Sequence, residues 1–427
     1  MKWLPWAAAA SGTAGAAVVA ATMAAAQPTD VQRPRTLVVG TPAGGARTDR
    51  IDGARSGRSQ TSLPLAQTGL RSDWRTVVSA TLDVAPVVDA RGTTYAVGSR
   101  GEVFAVARDG SERWKVPTGG LQPSTPVLLS DDTLVFADAA GEAVAVREGS
   151  IRWRLRFGRP DPARPIPPAP LALDDGGVVV ATTRDLAALD SEGHERSRTT
   201  LSEPTTVGLV AAGGLGKVVA VTATGAVWTW TPGCAEMTRV ASFGGPIDDT
   251  PVLADDHTLL AIAGGRTHLV AVDLVRGTTT TRAVVPAGLW LGPPSMGGGL
   301  THLLIQAPTS ELAVTVDPSG AEASRALLTT HPPPIGPDGG PAALVPLPHT
   351  PILVDGAGTL AFATAEGGVG VVSGGVVDRI ADVCPPPPGP RATAPTTALV
   401  PLGPGAFIAT CRSGALVAVQ ANAQPRP

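Results

Sequence analysis

Six histidines, three cysteines and a set of paired carboxylates are the residues of this chain suited to acid–base, metal or nucleophilic chemistry. The histidines stand at 194, 257, 268, 302, 331 and 349. None shows the H-x-x-x-H or H-E-x-x-H spacing that sets two imidazoles on one helical face around a metal. His257 follows Asp255-Asp256, residue types able to hold an ion, but the frame reads as a solvated turn. Acidic pairs recur at Asp131-Asp132, Asp174-Asp175, Asp248-Asp249 and Asp255-Asp256, between short apolar runs, where carboxylates cap turn N–H groups. That reading outweighs a calcium site. Gly213-Gly214-Leu215-Gly216-Lys217 has the glycines and lysine of a phosphate loop, yet lacks the following Ser/Thr and lies in a hairpin pattern. Ser295 has proline where a nucleophile elbow needs glycine. No catalytic constellation results, so the chain reads as a non-enzyme with no cofactor and no metal. Cys234, Cys384 and Cys411 permit one disulfide at most. Cys384 and Cys411 are the better-placed pair, in the last two repeats, but spacing alone leaves their pairing open.

The bulk composition narrows the class. Of 427 residues 43% are hydrophobic and only 16% charged, with a formal net charge of −3. A nucleic-acid surface would need a basic stripe, and none is present. Lys2 and the uncharged run Trp6 to Ala26, ending in Ala24-Ala25-Ala26 before Gln27, read as a cleaved signal peptide over residues 1–26. An uncleaved anchor is the alternative, because the run approaches spanning length. No cysteine follows the run, which removes lipoprotein acylation. Residues 27–70 are rich in Pro, Arg, Gly, Ser and Thr with one apolar patch, Leu37-Val38-Val39. Such a segment cannot offset its ordering entropy by burying its own side chains, and a disordered linker is expected.

What must position everything else is a repeat. Ala85 to Trp114 and Thr125 to Trp153 are near copies: Pro86 and Pro126 are 40 residues apart, as are Gly101 and Gly141. Each copy is a Pro-led apolar strand, an acidic or glycine turn, two further apolar strands and a fourth strand carrying tryptophan. Units continue from Pro170, Val207, Thr250, Pro294, Thr350 and Pro395, a mean period of about 44 residues. The expectation is all-β: an eight-bladed β-propeller of four-stranded blades over 71–427, or seven blades if the weak sixth unit is an insertion. After Val419 the last unit lacks a fourth strand, while Asp73 to Val78 is a strand without a blade. Placing that N-terminal strand on the outer edge of blade eight closes the ring and removes an exposed edge.

Trp114 and Trp153 sit four residues after a glycine, in the frames Ala105-Val106…Gly110…Trp114 and Ala145-Val146…Gly149…Trp153. This frame resembles the PQQ-like β-propeller repeats, and most of all the propeller subunit of the bacterial outer-membrane β-barrel assembly machinery with its secreted relatives. The resemblance spans residues 73–420 and is strongest in the first two units. It implies a structural role, docking blade on blade, for Trp74, Trp114 and Trp153. The quinone-dependent dehydrogenases of the same superfamily bind PQQ with vicinal cysteines and a calcium site, and no two cysteines adjoin here.

The connections from outer strand to next inner strand vary in length and are proline-rich, and all emerge on one face of the disc. Arg159 and Pro160, His331 and Pro333, and Pro386 mark them as candidate binding-face loops. The functional expectation is a secreted or periplasmic, monomeric scaffold binding a protein partner in the cell envelope, without nucleic acid and without a membrane span after signal cleavage. A PQQ-dependent oxidoreductase is one alternative. A carbohydrate-binding propeller using Trp228, Trp230 and Trp290 is another.

Overall fold

Runs of four to six β-branched and aliphatic residues, each ended by a Gly or Asp turn, fold into eight four-stranded antiparallel sheets. Blade 1 consists of Val87–Val88, Thr94–Val97, Glu102–Val106 and Glu112–Pro117, ordered from the axis outward as they occur in the chain. Blades 2 to 7 repeat this over 127–156, 171–200, 210–242, 252–284, 289–330 and 353–380. The computed structural model describes residues 46–48, 50–159, 166–203, 208–247, 249–285, 287–333, 344, 347, 349–385 and 394–422, all in the unit 35–427. The expected signal peptide and the first part of the expected linker lie outside the described residues.

The second strands Thr94–Val97, Leu134–Ala137 and Val178–Ala181 are buried along their whole length, because a neighbouring blade covers each face. Outer strands instead alternate, as in Glu112–Pro117 and Glu195–Thr200. The core is therefore divided among blade interfaces. One apolar cluster joins Tyr95 and Val103 of blade 1 to Phe136 and Val144 of blade 2, and another joins Leu291 and Leu304 of blade 6 to Phe362 of blade 7.

Blade 6, the faintest unit in sequence, has the longest strands: Leu289–Gly297, Leu300–Ala307, Ser310–Val316 and Glu322–Thr330. The seven-blade alternative is thereby excluded. Its innermost strand begins before Pro294 and shifts register between Leu291 and Ser295, a bulge that accommodates Gly292-Pro293-Pro294.

Blade 8 contains Thr396–Gly403, Ala406–Cys411 and Ala415–Ala421, and its outer strand is Leu70–Val77 from the start of the chain. The pairing is antiparallel from Leu70 with Ala421 to Val77 with Ala415, shifting once between Ser72 and Trp74. Cys384, in the connection after blade 7, is disulfide-bonded to Cys411 with Cα atoms 5.0 Å apart. Leu70–Val77 and Ala415–Ala421 are thus held in one sheet, and blade 8 is also tied to the loop before it.

Candidate functional site: a filled channel and a loop-bearing face

Residues 46–48 and 50–59 run around the inside of the channel, meeting the blades in chain order. Ala46 exchanges backbone hydrogen bonds with Val88 of blade 1 at 2.9 and 2.7 Å. Leu128 of blade 2 donates to Arg47 O at 2.7 Å, and Thr48 Oγ1 donates to Pro170 O beside blade 3 at 3.2 Å. Ala211 of blade 4 donates to Gly53 O (2.7 Å) and Leu253 of blade 5 to Ala54 O (3.0 Å). Met296 of blade 6 donates to Ser56 O (2.7 Å), and Val354 of blade 7 to Gly57 O (3.0 Å). An innermost strand has an edge facing the axis whose amides need partners. Here the chain's own leader supplies them.

The side chains of this segment serve the same end. Arg55 is 0% exposed; its Nε donates to Leu209 O at 2.7 Å, Nη1 to Thr48 Oγ1 at 2.7 Å and Nη2 to Ala169 O at 2.9 Å. One guanidinium thereby joins the residues that lead into the innermost strands of blades 3 and 4. Arg50 reaches across to Pro294 O and Ser295 Oγ of blade 6. Asp52 accepts the Ser56 N–H at 2.9 Å and its hydroxyl, while burial pushes its carboxyl pKa up against the pull of Ser56, Arg55 and Arg50. Arg50, Ile51 and Arg55 all have positive φ (52°, 83° and 59°), a strained arrangement for residues with a Cβ that only surrounding contacts sustain. Gly57 also has positive φ, and a Cβ there would lie 2.6 Å from Ser295 Oγ. The expectation of a disordered linker is corrected for 46–48 and 50–69. Composition measures whether a segment can bury itself. This one instead uses its polar groups to satisfy a wall of backbone amides and carbonyls.

Above the filled channel, on the face where the inter-blade connections emerge, lies a cavity of about 340 Å³. Val84, Pro167, Pro168, Ile352 and Leu399 form its walls, and Arg50 and Ile51 also line it. Ile166, 43% exposed, also lines it, and Leu121, 62% exposed, stands in the connection between blades 1 and 2 on the same face. A second, more open groove of about 740 Å³ between blades 2 and 3 carries Arg156, Arg159, Arg184 and Arg198 with a single carboxylate, Asp185. Arg184 donates to Ser202 O at 2.8 Å and Arg198 pairs with Glu195. Arg159 is therefore placed in a cationic groove. His331 and the exposed Pro333 lie in a different sector, after blade 6, with His331 N–H on Thr309 O at 3.0 Å. Arg159, His331 and Pro333 share a face, not a pocket; Pro160 and Pro386 lie outside the described residues.

Most other candidates for chemistry are occupied by structure. Asp131, Asp175 and Asp255 accept the N–H groups of Thr133, Gly177 and His257 at 2.9–3.0 Å, as turn caps do. Asp190, Glu192 and His194 come together at one exposed turn, where Asp190 Oδ1 takes the N–H groups of Glu192 and His194. The glycine-rich Gly213–Leu215 is a 3-10 turn between Val210–Ala212 and Lys217–Val221, without a helix to hold phosphate. Asp249 departs from its expected turn role, and Asp248 lies outside the described residues. Asp249 meets Arg266 at 2.9 Å and His349 Nε2 at 3.6 Å. Burial raises its pKa, but His349 and Arg266 outweigh that and hold it below the usual range. No sequence spacing announced this cluster, because its members come from the connection before blade 5, a turn of blade 5 and the connection before blade 7.

The tryptophans sit on glycines. The Trp74 indole of blade 8 donates to Arg108 O at 2.9 Å and covers Gly110 of blade 1, where a Cβ would lie 2.7 Å from the ring. Trp114 faces Gly149 of blade 2 at 3.4 Å by the same measure. Trp153 donates to Ser191 O at 2.9 Å and covers Gly193 of blade 3 at 2.5 Å. Where the tryptophan is absent, other polar side chains make the contact. Ser197 Oγ accepts the Gly233 N–H of blade 4 at 2.9 Å, and Arg282 donates to Pro318 O of blade 6 at 2.9 Å.

Residues 48–280 match the profile of the family described as outer membrane protein assembly factor BamB. The chain belongs to this family. Among solved structures, BamB from Moraxella catarrhalis is similar over 84% of this chain and 99% of that one, with a TM-score of 0.59 and 16% identity. At that identity the likeness shows the fold alone. No curated protein matches the chain. The quinone cofactor of the catalytic propellers does not fit the residues present. The only cysteines in the last two repeats are bonded to each other across 27 residues, not adjacent, and the channel interior is filled by Arg50, Ile51 and Arg55. Trp230 and Trp290 are buried and Trp228 half-buried, so the flat surfaces a carbohydrate reading required are not exposed. Among the described residues no helix is long and apolar enough to cross a membrane.

Proposed function

We propose that the protein is a non-catalytic scaffold of the cell envelope, holding a protein partner on the loop-bearing face of the propeller. The observation that carries this reading is a family propeller whose axis is closed by its own chain, which leaves recognition to the loops. Exposed Leu121 and Ile166 offer apolar anchors, and the arginine groove around Arg159 offers charge at the rim. Residues 1–26 act as an export signal, and the Cys384–Cys411 disulfide suits an oxidising compartment. Trp74, Trp114 and Trp153 are the pins that keep the blade interfaces rigid beneath that face.

Photo-crosslinking in intact cells tests it. A crosslinker at Leu121, Arg159 or Ile166 is expected to give a discrete protein adduct, whereas one at Asp109 or Glu192, in turns on the other face, gives none. Adducts arising equally from both faces would sink the assignment. Stoichiometric uptake of PQQ with calcium, read by absorption, would overturn the non-catalytic reading.

A further inference from the structure

We infer that the inner wall of the channel is a peptide-binding site, and that residues 46–59 are its tethered, exchangeable ligand. Every blade has its four strands without this segment, which belongs to none of the eight sheets; its bridges to them, Ala46 with Val88 and Arg58 with Val354, are isolated, although Ala46, Ile51 and Ala54 also pack in the apolar clusters of the blades. The wall presents one backbone N–H from the innermost strand of each of six blades, at Val88, Leu128, Ala211, Leu253, Met296 and Val354. All six point to carbonyls of a single chain. The wall also presents carbonyl oxygens, at Leu209, Ala169 and Pro294, placed for arginine.

Recognition by main-chain hydrogen bonds fixes the class of ligand: an extended or coiled polypeptide, with its sequence read at few positions. Those positions are legible. Gly57 is required where a Cβ would strike Ser295, and Arg55 is required where one guanidinium serves two blades. The left-handed residues Arg50, Ile51 and Arg55 mean that the wall shapes the peptide, since a free chain would rarely adopt three such turns in six residues. The site lies beneath the loop-bearing face and adjoins its cavity, which Arg50, Ile51 and Gly57 also line.

The test separates the ligand from the fold without shortening the chain. A sequence-specific protease site is inserted after the exposed Gln60, and the folded protein is cut so that Leu70–Val77 stays attached to the propeller. The nicked fragment is expected to co-elute with the propeller on gel filtration. In sub-denaturing urea, excess fluorescein-labelled peptide 46–60 is expected to replace it, with saturable anisotropy. The same peptide carrying Arg55→Ala is expected to bind about tenfold more weakly or worse. A folded nicked propeller that ignores the labelled peptide overturns the inference, as does equal binding of the Arg55→Ala peptide. Unfolding on cleavage also overturns it, since the segment would then be part of the fold and not a ligand of it.

Discussion

Replacing Gly193 by Ala tests the blade-docking geometry most sharply, because its cost should depend on a residue in another blade. Gly193 has φ +85°, which costs an L-residue about 1–2 kcal/mol. Its Cβ would also lie 2.5 Å from Trp153 Cδ2, so the ring must leave. Half-burial of an indole removes roughly 100 Å² from water, worth about 2.5 kcal/mol, and the Nε1 bond to Ser191 O adds about 1 kcal/mol. Trp153→Ala should therefore cost about 3 kcal/mol, and Gly193→Ala about 3–4 kcal/mol if most of the ring contact is lost. In the double variant the clash is gone, leaving only the backbone term for the alanine, and the two losses should fall short of additivity by about 2 kcal/mol. Guanidinium denaturation followed by far-UV circular dichroism, at unchanged m, measures this. Gly265→Ala, with φ +62° and nothing within 4 Å of its Cβ, supplies the backbone term alone. Losses that add to within about 0.5 kcal/mol would refute the docking geometry.

Four further outcomes follow from the same structure. Gly149→Ala should couple to Trp114 more weakly than Gly193 does to Trp153, because its Cβ would stand at an ordinary 3.4 Å; equal coupling energies from the same double-mutant cycle would contradict it. Replacing Cys384 and Cys411 together by Ser should cost about 3–4 kcal/mol from the loop their bond closes, and melting of the oxidised protein with and without reductant checks this. His302 is buried between Thr315 and Gly297, and burial lowers its pKa below 6.5; the unfolded chain therefore binds more protons, and stability is lost as pH falls from about 6.5 toward the folded value. A His302→Gln variant should flatten that slope in urea titrations. Glu311 has the opposite sign: burial, then Glu366, raises its pKa above 4.5, so its stabilising contribution is complete in acid and disappears as pH rises through the folded value. Glu311→Gln should stabilise the protein near neutrality and change little in acid.

The periodic features were legible from the chain alone because propeller blades repeat their chemistry. Pro-led strands, Asp turns and the glycine before each tryptophan recur, so blade number, strand order and the borrowed outer strand Leu70–Val77 could be read by counting. Blade 6 was faint because its innermost strand absorbs Gly292-Pro293-Pro294 in a bulge, which looks like a strand break in sequence. The ion cluster of Asp249, Arg266 and His349 was hidden for another reason. Its three residues are far apart in the chain, and an acidic pair at 248–249 has the same appearance as the pairs that cap turns.

The segment 46–59 marks the point where composition misleads. Disorder is inferred when a stretch has too few apolar side chains to offset the entropy of ordering. That inference assumes the stretch must make its own core. A propeller axis reverses the requirement, because its wall is lined with edge amides and carbonyls that a hydrophobic plug would leave unsatisfied. Gly53, Ala54, Ser56 and Gly57 are small enough for their carbonyls to reach the wall, and Arg47, Arg50 and Arg55 carry donors to its oxygens. A polar, glycine-containing leader is thus the composition this cavity selects. The same letters that read as a linker in front of a globular domain read as a ligand in front of a ring of inner strands.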